Sequence, residues 1–295
     1  MLPLKELLDQ QLAGVQRAPS VAITFDDGYS DIYEIAAPAL LKNNFPFTVF
    51  INTESVGAPG YMSWSQLKSL QEMGASVANH TVTHPHLMRR QESENRSQWR
   101  RRIKREIVEA QSDIEAHLGE SPLLFAYPYG EFDASVTALV QSLGYRGLGQ
   151  HSGAVGKLTD PLRIPRFPMG GNYGELDSFA TKVASLPLPV VEEGVVQRSD
   201  GLSDAYVLLA GQTATLKLAL AEPGLGNRLN CFFRGEQIDV VEKTPEIVHV
   251  PLPDALTAGR TRVNCTAKEA GGNRYYWHSY PLFIKGEDGA WKHQD

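Results

Sequence analysis

Short apolar runs alternate with segments of helical spacing through the first half of the chain. The apolar runs have the length of buried strands, and the segments between them repeat apolar residues every three or four positions. The predicted strands cover residues 21–25, 47–51, 75–78, 123–126 and 145–148. The predicted helices cover residues 32–41, 64–73, 98–118 and 134–143. This alternation predicts a parallel sheet with helices outside it.

The pattern changes near Pro187 and Pro189, after which short strand-like runs are separated by Gly, Pro and Asn. These runs cover residues 205–209, 213–218, 247–250 and 275–278. Because helical periodicity is absent there, we expect an antiparallel β-sandwich, for which an immunoglobulin-like arrangement is one option. The chain is therefore predicted to have an α/β domain at residues 1–188 and a smaller all-β accessory domain at residues 189–295.

Three segments that carry chemistry each follow a predicted strand of the first domain. Their sequences are T-F-D-D-G at residues 24–28, H-T-V-T-H-P at 80–85 and Y-P-Y-G at 127–130. In such folds the reactive groups lie where strands end and loops begin. Two adjacent carboxylates and two imidazoles four positions apart supply the ligands of a hydrolytic, zinc-type site. The expected chemistry is hydrolysis by metal-activated water.

In their order and composition these three segments resemble the polysaccharide deacetylases with a NodB homology domain, carbohydrate esterase family four. The resemblance extends from about residue 21 to residue 167 and does not reach the C-terminal part. It implies a distorted, incomplete (β/α) barrel, which would be the catalytic domain. The expected fold class is therefore α/β, with this barrel followed by the all-β sandwich.

The resemblance also implies which residues hold the metal and which acts as the base. Asp27, His80 and His84 match the family's metal ligands, and Asp26 matches the catalytic base. Gly28 permits a turn after the strand, so the two adjacent aspartates can take different roles. Imidazole ligands favour Zn²⁺, with Ni²⁺ or Co²⁺ as alternatives. One divalent metal is the expected cofactor.

Three further candidates complete the expected site. In the family, the backbone N–H at the position of Tyr129 helps to stabilise the oxyanion. The arginine that usually orients the catalytic aspartate is replaced by Ala126, and relatives without it often carry an I-P-R segment downstream, which makes Arg166 the substitute candidate. The family's final histidine has no clear match, and His151 is the candidate for protonating the leaving amine. A surface role for Arg166 and a structural or groove-lining role for His151 stay open, whereas His86 is expected to be a neighbour of the metal and not a ligand.

Overall charge and hydropathy narrow the partners. The 295 residues carry a formal net charge of −6, which gives no general electrostatic reason to bind nucleic acid or anionic lipid. No stretch has the length of a membrane span, and the first residues predict a short amphipathic helix and not a secretory signal. The compartment stays open between the cytoplasm and, if a signal has been removed, the periplasm or exterior.

Basic residues are concentrated between positions 89 and 105, a stretch that holds eight of the 28 lysines and arginines. They are Arg89, Arg90, Arg96, Arg100, Arg101, Arg102, Lys104 and Arg105. A solvated face of the long helix is one interpretation. Contact with an anionic polymer or a lipid-linked glycan is the other.

The two cysteines, Cys231 and Cys265, both lie in strand-like runs of the second domain. A disulfide that joins two strands would indicate an oxidising compartment. Two buried free thiols are an equal alternative.

The function predicted from these residues is removal of acetyl groups from a carbohydrate, most simply the N-acetyl groups of an amino-sugar polymer or oligosaccharide. The expected partner is thus an acetylated carbohydrate. A glycan-binding protein with a degenerate catalytic site is an alternative, which Ala126 and the unmatched final histidine favour. An acetylxylan-type esterase that acts on O-acetyl groups is a second alternative.

Overall fold

A computed structural model describes residues 1–15, 18–197, 201–203, 206–241, 244–254 and 256–292. The chain forms two compact units. Unit 1 comprises Met1–Gly149 and Pro161–Ile164, and unit 2 comprises Gln150–Asp160 and Pro165–Asp295. The units thus divide the chain earlier than residue 188, because residues just before it pair with a strand of unit 2. The domain bounds 1–188 and 189–295 stay a prediction.

Unit 1 contains a curled sheet of five parallel strands in the order β1-β2-β3-β4-β5. The strands are β1 (Ile23–Phe25), β2 (Phe47–Ile51), β3 (Ser76–Asn79), β4 (Leu124–Ala126) and β5 (Arg146–Leu148). The helices are α1 (Leu4–Leu12), α2 (Ala37–Lys42), α3 (Trp64–Glu72), α4 (Arg96–Leu118) and α5 (Ala134–Ser142). This arrangement confirms the expected incomplete α/β barrel.

Buried strands and capped helices explain why these segments fold as they do. Every side chain of β2 is buried, as expected for a central strand of a parallel sheet covered on both faces. Helices α3 and α4 begin with capping boxes at Ser63 and Asn95, whose side chains accept backbone N–H bonds. Helix α4 packs against β3 and α3, so its apolar side closes the core.

The predicted helix at residues 32–41 is wrong in one respect. The structure has a π-helical turn at Ile32–Ala36 before α2 begins. Pro38 has no backbone N–H and therefore cannot form the helical bond to residue 34. A locally wider turn relieves this conflict.

Unit 2 consists mainly of two sheets. The first has the order β13-β10-β7-β8, and the second has the order β12-β11-β14-β15-β6, with β9 also paired to β15. Its strands are β6 (Leu186–Pro187), β7 (Val190–Gln197), β8 (Gly201–Ser203), β9 (Val207–Leu209), β10 (Ala214–Leu220), β11 (Asn230–Phe233), β12 (Glu236–Ile238), β13 (Ile247–Pro251), β14 (Gly259–Lys268) and β15 (Tyr275–Lys285). Two helices, α6 (Leu176–Ala184) and α7 (Leu225–Arg228), accompany them.

The all-β character predicted for unit 2 is confirmed, with two differences. β6 and β9 run parallel to β15, so the pairing is not purely antiparallel. The short helix α7 interrupts a region where no helix was expected. The predicted strand at 205–209 begins at Ala205, which lies outside the described residues, while β9 covers Val207–Leu209.

Cys231 and Cys265 form a disulfide between β11 and β14. The two residues are directly opposite each other in the antiparallel register, with Cα atoms 4.1 Å apart. The alternative of two free thiols is therefore wrong. Among the described helices, none combines the length and the apolar character that crossing a bilayer requires.

Candidate metal centre

The loop after β1 places two carboxylates at the edge of the parallel sheet. Asp26 follows the last residue of the strand, and Asp27 adopts the left-handed conformation with φ 70°. Gly28 is also left-handed, with φ 79°, and its N–H donates to the carbonyl of Asp26 at 2.9 Å. A Cβ at Gly28 would lie 3.0 Å from Ile51 Cγ2, so glycine satisfies both the turn and the close packing. The turn that separates the two aspartates is thus present.

The first histidine follows β3 and is fixed by the neighbouring strands. His80 donates its backbone N–H to the carbonyl of Ile51, and its side chain is completely buried. Its Nδ1 lies 2.8 Å from the carbonyl oxygen of Ala126. A carbonyl can only accept, so Nδ1 carries the proton and Nε2 presents a lone pair.

The second histidine is placed by a tight loop and not by a helix. The next helix, α4, begins only at Arg96. Thr81 and His84 are both left-handed, with φ 73° and 55°, and the hydroxyl of Thr81 accepts the N–H of His84 at 3.0 Å. Glu106 of α4 accepts the N–H groups of Val82 and Thr83 at 3.1 and 2.9 Å. These bonds turn the loop so that both imidazoles lie on the same side.

Asp27, His80 and His84 converge on one point. Asp27 Oδ1 lies 3.5 Å from His80 Nε2 and 3.5 Å from His84 Nε2. The ligand atoms of all three residues lie within 4.8 Å of one another. The carboxylate is partly exposed, which leaves an approach for other ligands. The three predicted metal ligands thus form one group of nitrogen and oxygen donors.

Burial and neighbouring charges shift the pKa values of His84 and Tyr29. Burial, together with the neighbouring His80, lowers the pKa of His84 to about 4. The imidazole of His84 is therefore neutral near neutral pH, which is the form that binds metals. The negative charge of Asp27 and burial raise the pKa of Tyr29 to about 12, so this phenol keeps its proton.

The residues present fit a divalent metal. His80 Nε2 is buried and has no hydrogen-bond partner among the described residues, although an unpaired buried polar atom is costly. A metal would satisfy it, and the bond from Nδ1 to a backbone carbonyl is the usual way of orienting a histidine ligand. One carboxylate oxygen and two imidazole nitrogens form a typical catalytic zinc ligand set with open positions.

Tyr129 lies beside this group in an unusual conformation. Its φ is 58°, and its ring contacts the ring of His84, with centroids 4.5 Å apart. The ring of Tyr129 also stacks on the ring of His86, with centroids 3.9 Å apart and an interplanar angle of 13°. The left-handed backbone of a bulky residue is strained and is maintained only by its surroundings. His86 lies outside the three-residue metal group, as expected.

A buried carboxylate that the sequence analysis missed supports His86. Glu131 is 1% exposed, and its Oε2 lies 2.9 Å from His86 Nδ1. Its other oxygen accepts from Arg89 at 3.2 Å. Glu131 therefore links His86, whose ring stacks on Tyr129, to Arg89. Its position directly after Y-P-Y-G is a signal, but only the fold shows which side chains it contacts.

Asn79 and Glu106 are two further supports of the histidine loop. Asn79 is fully buried, accepts the N–H of Thr81 at 2.9 Å and donates to the carbonyl of Ile107 at 2.8 Å. Neither residue type carries a sequence signal for such a role. Both act by fixing the loop backbone.

The remaining two candidates, Arg166 and His151, belong to unit 2. The N–H of Arg166 donates to the carbonyl of His151 at 2.8 Å, and His151 is buried. Their catalytic roles stay predictions.

The sequence profile described as polysaccharide deacetylase matches residues 13–148, a little under half of the chain. The poly-beta-1,6-N-acetyl-D-glucosamine N-deacetylase of Staphylococcus aureus (strain MRSA252) is 30% identical over 172 residues, which cover 56% of this chain and 59% of that protein. YxkH of Bacillus subtilis (strain 168), also named as a polysaccharide deacetylase, is 26% identical over 46% of this chain and 47% of its own length.

The chain thus spans about half the length of the curated relatives it matches. Among solved structures, IcaB from Ammonifex degensii has a TM-score of 0.52 at 23% identity, covering 61% of this chain and 81% of that one. A likeness at this identity shows a shared fold. Residues 13–148 are thus similar in sequence to the polysaccharide deacetylases, in agreement with the order of the three segments.

Proposed function

We propose that this chain is a metal-dependent carbohydrate deacetylase that removes N-acetyl groups from an amino-sugar polymer or oligosaccharide. The observation that carries the proposal is the group formed by Asp27, His80 and His84, in which the buried Nε2 of His80 lacks a hydrogen-bond partner among the described residues. The printed activity of the Staphylococcus aureus relative supports an N-acetylated amino sugar as the substrate.

In this proposal, Asp27, His80 and His84 hold one divalent metal, with Zn²⁺ the best match to the donors. Such a metal supplies polarisation of the acetyl carbonyl and a lowered water pKa. Asp26, adjacent in the chain to the ligand Asp27, accepts the proton of the attacking water. Hydrolysis then breaks the carbon–nitrogen bond of the amide and yields acetate and a free amine.

Other residues complete the proposed mechanism. The backbone N–H of Tyr129 stabilises the developing oxyanion, and its left-handed conformation supports this because it sets the direction of that N–H. Arg166 orients Asp26, and His151 protonates the leaving amine. Arg166→Ala and His151→Ala, each measured for turnover at unchanged metal content, test these two roles; near wild-type turnover would reject them.

We also propose that unit 2 is an accessory β-sandwich of immunoglobulin-like type. Its two sheets and the Cys231–Cys265 disulfide support a stable β domain. The disulfide also favours an oxidising compartment as the place where the chain works. Quantifying free thiols in protein isolated from its native host would test the compartment, because two reactive thiols would contradict it.

Acetate release from a panel of acetylated glycans tests the proposed function. The panel should include β-1,6-linked and β-1,4-linked N-acetylglucosamine oligomers and acetylxylan. We expect zinc-loaded protein to release acetate from an N-acetylated oligomer and to lose this activity on dialysis against a chelator. Preference for acetylxylan would favour the O-acetyl esterase, and binding of a glycan without acetate release would favour the degenerate glycan-binding protein.

A further inference from the structure

Helix α4 presents an exposed basic surface, which we call the basic face. It consists of six residues from the end of the preceding loop and the first half of the helix. They are Arg90, Arg96, Arg100, Arg101, Lys104 and Arg105, all exposed. Two other basic residues of the same stretch are excluded, because Arg89 contacts Glu131 and Arg102 contacts both oxygens of Glu94.

The six cations of the basic face lack a close carboxylate partner, and Arg90 acts on Glu94 only as one of several basic groups that lower the pKa of Glu94. In the part of the chain that the structure describes, none of them forms an ion pair, and the printed contact of Arg101 is with the hydroxyl of Ser97 at 2.9 Å. Uncompensated charge of one sign on a protein whose net charge is −6 indicates a local function. The formal charge of these six residues is therefore opposite in sign to the net charge of the chain.

The order of charges along α4 opposes the stability of the helix. Arg96 lies in the first turn, where the helix dipole favours negative charge, and that turn contains no acidic residue, whereas Glu109, Asp113 and Glu115 lie in the second half of the helix. Like charges also lie four positions apart at Arg96 and Arg100, and again at Arg101 and Arg105. A charge order that the helix itself disfavours is explained by an anion that binds from outside.

The chemistry of the basic face selects the partner. Five of its six residues are arginines, whose planar guanidinium groups bind carboxylate and phosphate in a bidentate manner. From Arg96 to Arg105 the helix rises about 14 Å, enough to meet successive charges of a polymer. The apolar side of α4, which includes Trp99 and Ile103, is buried in unit 1.

The burial of the apolar side of α4 and the composition of the basic face argue against a membrane and against single-stranded nucleic acid as the partner. An interfacial helix inserts its apolar side into a membrane, and α4 has that side occupied. Single-stranded nucleic acid binding usually adds exposed aromatic rings for stacking, and the basic face contains none. We propose that the basic face binds an anionic polysaccharide through repeated carboxylate or phosphate groups, apart from the acetylated substrate of the metal centre.

The position of the basic face on α4 indicates a role for polysaccharide binding. α4 also carries Glu106, which holds the loop of His84. An anionic polysaccharide on the basic face would thus hold unit 1 within a glycan matrix through the same helix that supports the metal centre. The proposal does not depend on deacetylase activity, so its failure would leave the proposed function untouched.

A charge-neutralised variant and a matched control test the proposal. The test variant is Arg100→Gln/Arg101→Gln/Lys104→Gln/Arg105→Gln. The control, Lys42→Gln/Lys68→Gln/Lys157→Gln/Lys268→Gln, changes the net charge equally at exposed positions outside the basic face. Binding is measured by titration calorimetry at low and at physiological salt. The probes are polygalacturonate for carboxylates, poly(glycerol phosphate) for phosphates, neutral dextran, a short DNA duplex and phosphatidylglycerol vesicles.

We expect the wild type and the control to bind at least one of the two anionic glycan polymers, more weakly at higher salt, and not to bind dextran. The test variant should lose about tenfold or more in affinity, because four of six charges are gone. It should unfold at the same or a higher temperature, since like-charge repulsion in α4 is relieved.

Four results would overturn the proposal. The first two are an unchanged affinity of the test variant and a wild type that binds neither anionic glycan polymer. The third is tighter binding to the duplex or the vesicles than to the polymers. The fourth is a test variant that unfolds at a lower temperature than the wild type while the control keeps its affinity.

Discussion

The loops at the strand ends of unit 1 and the sheets of unit 2 differ in the regularity of their backbone. Six described residues other than glycine are left-handed, and four of them lie in the three loops of the metal centre. These four are Asp27, Thr81, His84 and Tyr129. In unit 2, by contrast, β14 and β15 pair in regular antiparallel register from Gly259–Ile284 to Lys268–Tyr275, and a disulfide joins β14 to β11.

This difference shows that the loops of the metal centre adopt locally unfavourable backbone conformations that position the side chains of the site. A left-handed residue other than glycine costs on the order of 1–3 kcal/mol and persists only when its surroundings enforce it. Around the metal centre, those surroundings include the buried side chains of Asn79 and Glu131 and the partly exposed side chain of Glu106. The described strands of unit 2 contain no left-handed residue other than glycine, and pairing between strands stabilises them directly.

The largest effect should come from removing a ligand. His80→Ala deletes a buried donor of the metal group, so metal content should fall to near zero and turnover roughly 10³-fold or more. Metal analysis and acetate release check this, with His117→Ala, an exposed imidazole of α4, as control. Full metal content in His80→Ala would break the distinction between the two regions.

Asp26→Asn should affect chemistry without affecting the metal. A general base contributes about 10²–10⁴-fold, so turnover should fall by that factor while metal content stays at the wild-type level. Asp31→Asn, an exposed carboxylate on the next turn, serves as control. Loss of metal from Asp26→Asn would instead make Asp26 a ligand.

Features of the fold and the site that depend on residues close together in the chain could be predicted from the sequence. The buried strand β2 was predicted to the residue, because a central parallel strand is a mainly apolar run, which here lies between Pro46 and Asn52. The metal group of Asp27, His80 and His84 was implied by the resemblance of the T-F-D-D-G and H-T-V-T-H-P segments to the polysaccharide deacetylases, and the position of both segments after predicted strands agreed with it. The π-helical turn before α2 was missed, since it arises from a single proline conflict.

Contacts between distant residues were beyond the reach of the sequence. Nothing in the spacing of Cys231 and Cys265 decides between a disulfide and free thiols until the register of β11 and β14 is known. In the same way, Glu131 contacts His86 across 45 positions of the chain. These contacts come from tertiary packing, which periodicity does not encode.

Glu131→Gln should sharpen the comparison by weakening one support of the strained loops. It keeps the shape but removes the charge that binds His86 and Arg89, so unit 1 should lose about 1–3 kcal/mol of stability. kcat should fall about tenfold, a further 1.4 kcal/mol in the barrier, with little change in KM, because Tyr129 loses its alignment. Glu109→Gln, an exposed glutamate of α4, is the control. Equal loss of kcat in both variants would contradict a specific role for Glu131.

The smallest effect on the metal centre should come from removing the disulfide of unit 2. Cys231→Ala/Cys265→Ala opens a loop of 34 residues, so unit 2 should lose about 2–4 kcal/mol of stability while metal content and turnover stay unchanged. Hydrogen exchange followed by mass spectrometry should show faster exchange in β11 and β14 and unchanged exchange in β2. Equal acceleration in β2 would mean that the two units do not differ in this way.

The most direct test of the account is anomalous diffraction at the zinc edge from crystals of the zinc-loaded protein. We predict a single peak enclosed by Asp27 Oδ1, His80 Nε2 and His84 Nε2, with Asp26 beside it and not coordinated. A peak bound elsewhere, or these three side chains pointing apart with no metal between them, would contradict the account.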